Sequence, residues 1–425
     1  MRHWKLIVAV LVVLVLLGMG WAANILLWFG PDITPRDYAL ELRKLQAASG
    51  GLSTDDMRAH HQLSLITQKI SAVIESGLSE PKYDSLEALS AEEREQVRAW
   101  VAALEDVGLY EDFHQLGQIP GYVYPWAGVR LIDNVFTDEL PAIRRMTRAG
   151  RYRAFEMLES NKTQQAVEII RDQAKVASLY LSQPVAVHRL TGQAILAHAI
   201  STTIHMLRYD LASEEIAELS SIFGQLSIPP MQVVFDGELL MGEEAIASTF
   251  QQNVTLKNMS RGALAAKLNS AHAQASVWAS KSPNERLADP INLPETRWYE
   301  SSAEFLIPAY EVLVQSNDQI TCRLAGLRVV LAIESYRAGH GSLPTSLSDL
   351  VPGHLAEMIP DHYADSAADF GYRIVEDLET YPEGYILYTV GFDGIDDGGV
   401  PDSEKPYASL TPDSPGSDFI LNVSQ

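Results

Sequence analysis

Cysteine is almost absent from this sequence of 425 residues, which contains only Cys322. A single thiol cannot form an intramolecular disulfide, and it also excludes a zinc site built from cysteines and a CxxC redox pair. Cys322 lies in an apolar run, where a free cysteine is typically buried. We therefore predict a small core residue on a helix rather than a reactive thiol.

Basic residues are also scarce, with 32 Lys and Arg against 55 Asp and Glu and a net charge of −23 at pH 7. Nucleic-acid binding depends on Lys and Arg that neutralise phosphates, so this balance argues against a nucleic-acid partner. An apolar fraction of 47% and a charged fraction of 20% are those of a globular protein. The chain is longer than one ordinary core, which predicts two or three domains.

Motifs for the common catalytic and nucleotide-binding sites are missing. The sequence contains no P-loop, no dinucleotide-binding fingerprint, no GxSxG nucleophile elbow and no HExxH zinc motif. His60 and His61 are adjacent and would point about 100° apart on a helix. His198 and His205 are further apart than the i, i+4 pair that binds zinc on a helix. We interpret these histidines as polar surface or core side chains.

One acidic cluster stands out in the middle of the chain, Asp236-Gly237-Glu238 followed by Gly242-Glu243-Glu244. Glycines among acids predict a polar turn that opens a helix over 243–252, where carboxylates face the positive end of the helix dipole. The alternative is a catalytic pair formed by Glu238 and Glu243. The sequence leaves enzymatic activity open, and it favours a non-enzymatic role.

The N-terminus has the character of a membrane anchor, because residues 6–31 carry no charged side chain. As one helix this run would be about 39 Å long, enough to cross a bilayer core of about 30 Å. Arg2 and Lys5 precede it, so the positive-inside rule places the N-terminus in the cytoplasm. We expect residues 1–31 to anchor a bacterial inner-membrane protein whose bulk is periplasmic or extracellular. A signal peptide cleaved near 20–22 is the alternative.

Helical periodicity dominates residues 32–317, which we predict to form an extracytoplasmic helical domain. The sequence SAEE at 90–93 is a capping box before an apolar stripe, and residues 163–181 place their apolar side chains on one face. Short connections between such segments are typical of antiparallel helical hairpins. Breaks rich in Pro and Gly at 118–128 and 284–294 predict loops, and the first of them divides the domain if it consists of two units.

The pattern changes at residue 318, and we predict a separate α+β module over 318–425. Residues 321–425 contain five Lys and Arg against seventeen Asp and Glu, and such asymmetry is typical of a distinct module. Two antiparallel strands are predicted over 370–374 and 385–390. The helix that opens the module has one apolar face, formed by Ile320, Leu324, Leu327 and Leu331. The whole chain is thus predicted to be mainly α, with a transmembrane helix, helical hairpins and a small antiparallel sheet.

The C-terminal module resembles a known family. The run YRAGHGSLPTSLSDLVP at 336–352, a short strand and then GYILYTVGFDGIDDGG at 384–399 are similar to the periplasmic domain of the major pseudopilin of type II secretion systems. The same unit ends larger membrane-anchored bacterial proteins of unassigned activity. This chain lacks the pseudopilin processing site, so we do not interpret it as a pilus subunit. The residues PDHY at 360–363 replace a Pro-x-Asp-Pro element, which leaves the geometry of that turn open.

Aspartates and glycines alternate in the loop that follows the second strand, where Asp393, Asp396 and Asp397 are candidate ligands of a hard cation. Calcium takes roughly six to eight oxygen ligands, and glycines let the backbone fold tightly enough to supply carbonyls. The pseudopilin resemblance implies that the ion is calcium, that its role is structural and that a later acidic residue closes the site. Asp402 and Asp418 are the candidates here. The alternative is a solvated acidic hairpin with Asx turns.

These features together predict an envelope protein that acts as a scaffold or protein-binding module without catalytic activity. Its expected partners are the membrane, through the N-terminal helix, and other envelope proteins, and its expected cofactor is Ca²⁺. The sequence does not identify a small-molecule ligand. The alternatives are an envelope hydrolase whose carboxylates are dispersed in the sequence, or an accessory subunit of a type II secretion or type IV pilus-like system.

Overall fold

The computed structural model describes residues 36–50, 52–83, 89–126, 131, 138–249, 261–293, 309–364, 368–378, 381–392, 394–400 and 418–422. Over these residues the chain is mainly helical, with twelve α-helices and one small antiparallel sheet. The predicted anchor, residues 1–31, lies outside the described residues. None of the helices within the ranges above is both long and apolar enough to cross a membrane.

The helices are numbered along the chain. Their bounds are α1 Tyr38–Gly50, α2 Arg58–Glu75, α3 Ala91–Asp106, α4 Leu109–Gly117, α5 Glu139–Glu159, α6 Thr163–Leu181, α7 Ala186–Met206, α8 Ser213–Gly224, α9 Gln232–Thr249, α10 Arg261–Ala279, α11 Pro283–Ala288 and α12 Tyr310–His340. A 3₁₀ turn follows at Leu347–Leu350.

Short sequence motifs determine where several of these helices begin or end. The capping box predicted at the start of α3 is confirmed, because Ser90 accepts from the backbone N–H of Glu93 and Glu93 accepts from that of Ser90. Helix α6 has the predicted bounds. The predicted loop over 284–294 is wrong in its first half, because Ser282 and Glu285 form a capping box for the short helix α11.

The acidic cluster of 236–244 does not form the predicted turn. Helix α9 runs from Gln232 to Thr249 and includes all of it. Gly237 serves close packing instead, because a Cβ at this position would collide with the carbonyl oxygen of Pro184. The glycine is therefore needed for contact with the preceding hairpin rather than for chain reversal.

The largest hydrophobic core is formed by α1–α9 together with one face of α12. Helices α6 and α7 pack as an antiparallel hairpin, with α5 against both. A smaller core joins the start of α9 to α10 and the first turns of α12. The predicted mainly helical character of the middle of the chain is therefore confirmed over the described residues.

Helix α12 contributes to two cores through two faces. The predicted apolar stripe of Ile320, Leu324, Leu327 and Leu331 packs into the large helical core. A second face packs under the sheet through Cys322, Val329, Val330 and Ile333. Cys322 is fully buried, as predicted. The helix starts at Tyr310, so the predicted domain boundary at 317/318 falls within it.

Within the described residues the sheet has three antiparallel strands in the order β1-β2-β3, namely Gly371–Ile374, Tyr385–Thr389 and Phe419–Ile420. The first two were predicted, and the third was not. Tyr372 pairs with Leu387, and Thr389 pairs with Phe419. Central strand β2 is buried along its whole length and lies against α12. The sheet therefore positions the loop that leaves β2 and the residue that enters β3 side by side.

Candidate metal site

The loop that leaves β2 winds tightly, and its glycines explain how. Gly391, Gly394, Gly398 and Gly399 all have positive φ, between 67° and 78°. Residues with a Cβ rarely adopt this conformation, so each of these positions requires glycine or tolerates a substitution only with strain. The acidic residues of the loop are thereby held on a compact backbone next to the end of β2.

Asp418 enters β3 and lies against this loop. Its side chain is buried, and its Oδ2 accepts a hydrogen bond of 2.6 Å from the backbone N–H of Gly399. The backbone N–H of Asp397 also donates to the Asp418 carboxylate. Although 19 residues separate Gly399 and Asp418 in the sequence, the two meet because β3 pairs with β2.

Asp396 is held by one donor from β2 and one from the loop itself. Its Oδ1 accepts from the hydroxyl of Tyr388, at 3.0 Å, and from the backbone N–H of Gly398, at 2.8 Å. The side chains of Asp396 and Asp397 are exposed to solvent. The loop thus presents two exposed carboxylates beside the buried one of Asp418.

The electrostatics of Asp418 favour a nearby cation. Burial raises the pKa of its carboxyl, and the negative charges of Asp396 and Asp397 act in the same direction against the donated backbone N–H groups. Its second oxygen, Oδ1, is buried and has no hydrogen-bond partner within the part of the chain that the structure describes. A buried carboxylate oxygen without a donor is destabilising unless a cation or water contacts it. This orphaned oxygen fits a calcium ligand.

Three of the five predicted ligands, Asp396, Asp397 and Asp418, lie within the described residues, and the charges of the first two raise the pKa of the Asp418 carboxyl. Asp393 and Asp402 lie outside the described residues. Among the residues described, which lack those two aspartates, no group of three or more His, Cys, Asp or Glu side chains is arranged to hold a metal ion. The calcium site stays a prediction.

Asp361 belongs to the PDHY turn, whose geometry the sequence left open, and it binds the end of β2. It is buried, and its carboxylate accepts from the hydroxyl of Thr389 at 2.6 Å and from the backbone N–H groups of Tyr363 and Val390 at 3.0 Å each. Burial raises the pKa of Asp361, and these three donors oppose that shift. The PDHY turn is thus fixed to the strand immediately before the acidic loop.

A second buried carboxylate ties the same turn to the helices. Asp318 on α12 contacts the guanidinium of Arg286 on α11, and both side chains are buried. Its other oxygen lies 3.0 Å from Nε2 of His362, which belongs to the PDHY turn. One carboxylate therefore joins α11, α12 and the segment below the sheet. Sequence reasoning missed this cluster, because its members come from three distant segments.

The carboxylates considered as a catalytic pair have separate structural partners. Glu238 accepts a hydrogen bond of 2.7 Å from the backbone N–H of Ala186 and so caps the start of α7. Burial raises the pKa of Glu238. Glu243 contacts the guanidinium of Arg36 in front of α1. The two glutamates therefore contact different segments of the chain.

A polar groove lies elsewhere, between α4, α5 and α6. Its volume is about 810 Å³, and it contains His114 and Asp172, whose Nδ1 and Oδ1 atoms are 2.9 Å apart. Burial raises the pKa of Asp172, and the adjacent imidazole opposes that shift. Glu105, Glu111 and Glu168 also line the groove. The pair is 58 residues apart in sequence, so no local pattern indicates it.

Comparison of this chain with protein-family models, with curated proteins and with solved structures finds no match. The resemblance to the major pseudopilin therefore depends on the sequence motifs alone, and it stays a prediction.

Proposed function

We propose that the protein is a membrane-anchored, extracytoplasmic envelope protein that acts as a scaffold or protein-binding module. In this proposal its C-terminal unit is pseudopilin-like and is stabilised by a structural calcium ion, and residues 1–31 form a single-pass anchor. The observation that carries the proposal is the position of Asp418, a buried carboxylate with one unpartnered oxygen beside Asp396 and Asp397.

Calcium would act here as a structural tie. A cation at Asp418 would neutralise the repulsion among the three carboxylates and connect the loop after β2 to β3. Since β2 packs on α12, the loop would then be fixed to the framework that both cores share. A rigid loop of this kind suits a binding surface. The contacts of Glu238 and Glu243 with Ala186 and Arg36 support a structural role over a catalytic one for these acids.

The test is thermal unfolding of the full-length protein at pH 7, first in calcium and then in excess chelator. A ligand that binds only the folded state adds about 2.7 kcal/mol at a hundred times its dissociation constant, so calcium should raise the midpoint by several degrees. Asp418→Asn should abolish that rise. In chelator the variant should equal or exceed the wild type in stability, because it removes a buried negative charge next to two others.

Asp55→Asn is the matched control, since Asp55 is an exposed carboxylate in the loop before α2. It should keep the full calcium response. A wild-type midpoint that is the same in calcium and in chelator would overturn the calcium site. A calcium response that survives in Asp418→Asn would mean that the ion binds elsewhere.

An envelope hydrolase is the second candidate, and the His114–Asp172 pair favours it. Asp172 contacts Nδ1 of His114, which turns Nε2 away from the carboxylate and leaves it to act as a general base toward a ligand in the groove. Hydrolysis of chromogenic esters and glycosides should then fall at least about a hundredfold in His114→Ala. Exposed His61 provides the control, His61→Ala. A wild-type protein without hydrolytic activity on any of them would eliminate this candidate.

A further inference from the structure

Two histidines meet at the C-terminal end of α12. His340 is the last residue of this helix, and Gly341 follows it as a left-handed C-cap. His354 lies in the segment after the 3₁₀ turn Leu347–Leu350. The two ring centroids are 5.9 Å apart, with an angle of 64° between the ring planes. The chain between them therefore returns to the end of the helix and brings the two imidazoles together.

Tyr336 restrains both imidazoles. It lies one helical turn before His340, and the two rings are stacked with centroids 4.0 Å apart and planes 15° apart. The ring of His354 lies 5.5 Å from the same tyrosine ring. Because these contacts already limit the rotation of the imidazoles, a ligand that binds both of them costs little further side-chain ordering.

Hydrogen bonds at Nδ1 fix which nitrogen of each imidazole carries a lone pair. Nδ1 of His340 lies 3.0 Å from the carbonyl oxygen of Tyr336, which can only accept, so Nδ1 donates and Nε2 of the neutral ring has the lone pair. Nδ1 of His354 lies 3.0 Å from Oγ of Ser335, which can accept in the same way. Histidines that bind metals commonly donate their other N–H to a carbonyl or a similar acceptor.

The surroundings of the two histidines also suit a cation. The carbonyl groups at the C-terminus of a helix carry a partial negative charge, and His340 lies at that end of α12. Arg337 is the other basic residue of the last turn, and its guanidinium lies 3.4 Å from the carboxylate of Glu334. The positive charge of Arg337 is therefore balanced within the helix.

The separation of the rings matches a shared metal ion. A Zn–N distance of about 2.0–2.1 Å places the centroids of two imidazoles on one ion roughly 5 to 6 Å apart. The observed 5.9 Å is at the upper end of that range. His340 is exposed and His354 is partly exposed, so an ion can reach both rings from solvent.

We infer that His340 and His354 bind one zinc ion through their Nε2 atoms, with solvent in the remaining coordination positions. Imidazole suits Zn²⁺, whereas Ca²⁺ takes oxygen ligands, so this site is separate from the acidic loop and does not depend on calcium. Two protein ligands are fewer than the three or four of catalytic and structural zinc sites, so the ion is exchangeable. When bound, it joins the end of α12 to the segment that follows the 3₁₀ turn.

Isothermal titration calorimetry of Zn²⁺ into the full-length protein, in excess Ca²⁺, tests the inference. We expect a saturable Zn²⁺ site that excess Ca²⁺ does not fill. His340→Gln and His354→Gln should each weaken Zn²⁺ binding at this site by at least about tenfold, since loss of a partner outside the coordination shell already costs about 10- to 100-fold. The two changes together should abolish the site.

His61→Gln is the matched control, because His61 is an exposed histidine that also lies beside another one, His60 on α2. It should keep the wild-type affinity for Zn²⁺. The unfolding midpoint of each variant without zinc shows whether it is folded. Absence of Zn²⁺ binding to the wild type, or unchanged affinity in folded His340→Gln or folded His354→Gln, would overturn the inference.

Discussion

Asp361 accepts a hydrogen bond from the hydroxyl of Thr389, with 2.6 Å between Oδ1 and Oγ1. Both residues are buried, and the contact joins the PDHY turn to the last residue of β2. The thiol of Cys322 on α12 lies 4.0 Å from the same oxygen. The turn, the strand and the long helix therefore meet at one carboxylate, immediately before the acidic loop begins.

We predict that Asp361→Asn destabilises the protein by about 2 to 3 kcal/mol, measured by denaturant unfolding. An asparagine keeps the shape but replaces one acceptor oxygen with an NH₂ group, which would face the donors that now bond to the carboxylate. Thr389→Val removes only one donor and should cost about 1 kcal/mol. Equal costs for the two variants would contradict this account.

Breaking the ion pair between Arg286 and Asp318 should cost far more than breaking an exposed one. We predict a loss of about 3 to 5 kcal/mol for Asp318→Ala, because a buried guanidinium is left without its counter-charge. The exposed pair of Lys281 and Asp289 provides the comparison, and Asp289→Ala should cost less than about 1 kcal/mol.

The combination of Arg286→Met with Asp318→Ala should cost less than the sum of the single changes, by about 1 to 3 kcal/mol. Additive costs would show that the two side chains do not stabilise each other. The double variant is needed because each single change also removes other hydrogen bonds. Arg286→Met removes those to the carbonyl oxygens of Ala279 and Lys281, and Asp318→Ala removes the one with His362.

His188 should make the protein sensitive to acid. It is fully buried, its Nδ1 atom has no partner among the described residues, and burial lowers its pKa to about 4. Its ring is packed among those of Tyr122, Tyr124, Trp126 and Tyr180. The unfolded chain binds a proton below about pH 6.5 while the folded state does not, so stability falls as the pH drops from about 6.5 to about 4.

The expected loss over that window is about 3 kcal/mol from this one group. His188→Phe keeps an aromatic ring in the cluster and has no proton to bind, so its stability should fall by that much less between pH 7 and pH 4. Unfolding curves of both proteins across this range measure the difference. Parallel pH profiles would exclude His188 as a source of the acid sensitivity.

Gly237→Ala should destabilise the protein by about 3 kcal/mol, since the added Cβ would collide with the backbone of Pro184 and separate α9 from α7. Gly224→Ala is the matched control, because a Cβ on this last residue of α8 would meet nothing within 4 Å. That change should be neutral or stabilising by less than about 1 kcal/mol. Equal effects would show that the contact with Pro184 is not tight.

Local patterns were sufficient to predict much of the secondary structure. The capping box at Ser90, the bounds of α6 and the end of α12, whose C-cap is Gly341 in the left-handed conformation, all follow from short stretches of sequence. Strands β1 and β2 likewise show local apolar patterns. These elements were predictable because their signals are contained within a few consecutive residues.

Features that depend on distant partners were not predictable in this way. Gly237 and Gly242 looked like turn residues, whereas they lie in α9 and allow contact with Pro184 and Leu268. Strand β3 has only two residues, and pairing with β2 defines it. Asp361 acquires its donors from Thr389 and Val390, which are 28 and 29 residues away.

Helix α12 has a mechanical consequence. Its 31 residues form a continuous rod of about 46 Å, with one face in the helical core and another under the sheet. Because this helix packs in both cores, a pulling force applied to the sheet would be transmitted directly along it to the helical core. Separating the chain at 317/318 would remove the first two turns of α12. It would also expose the apolar stripe that packs in the helical core, so the sheet and the rest of α12 do not form an independent unit.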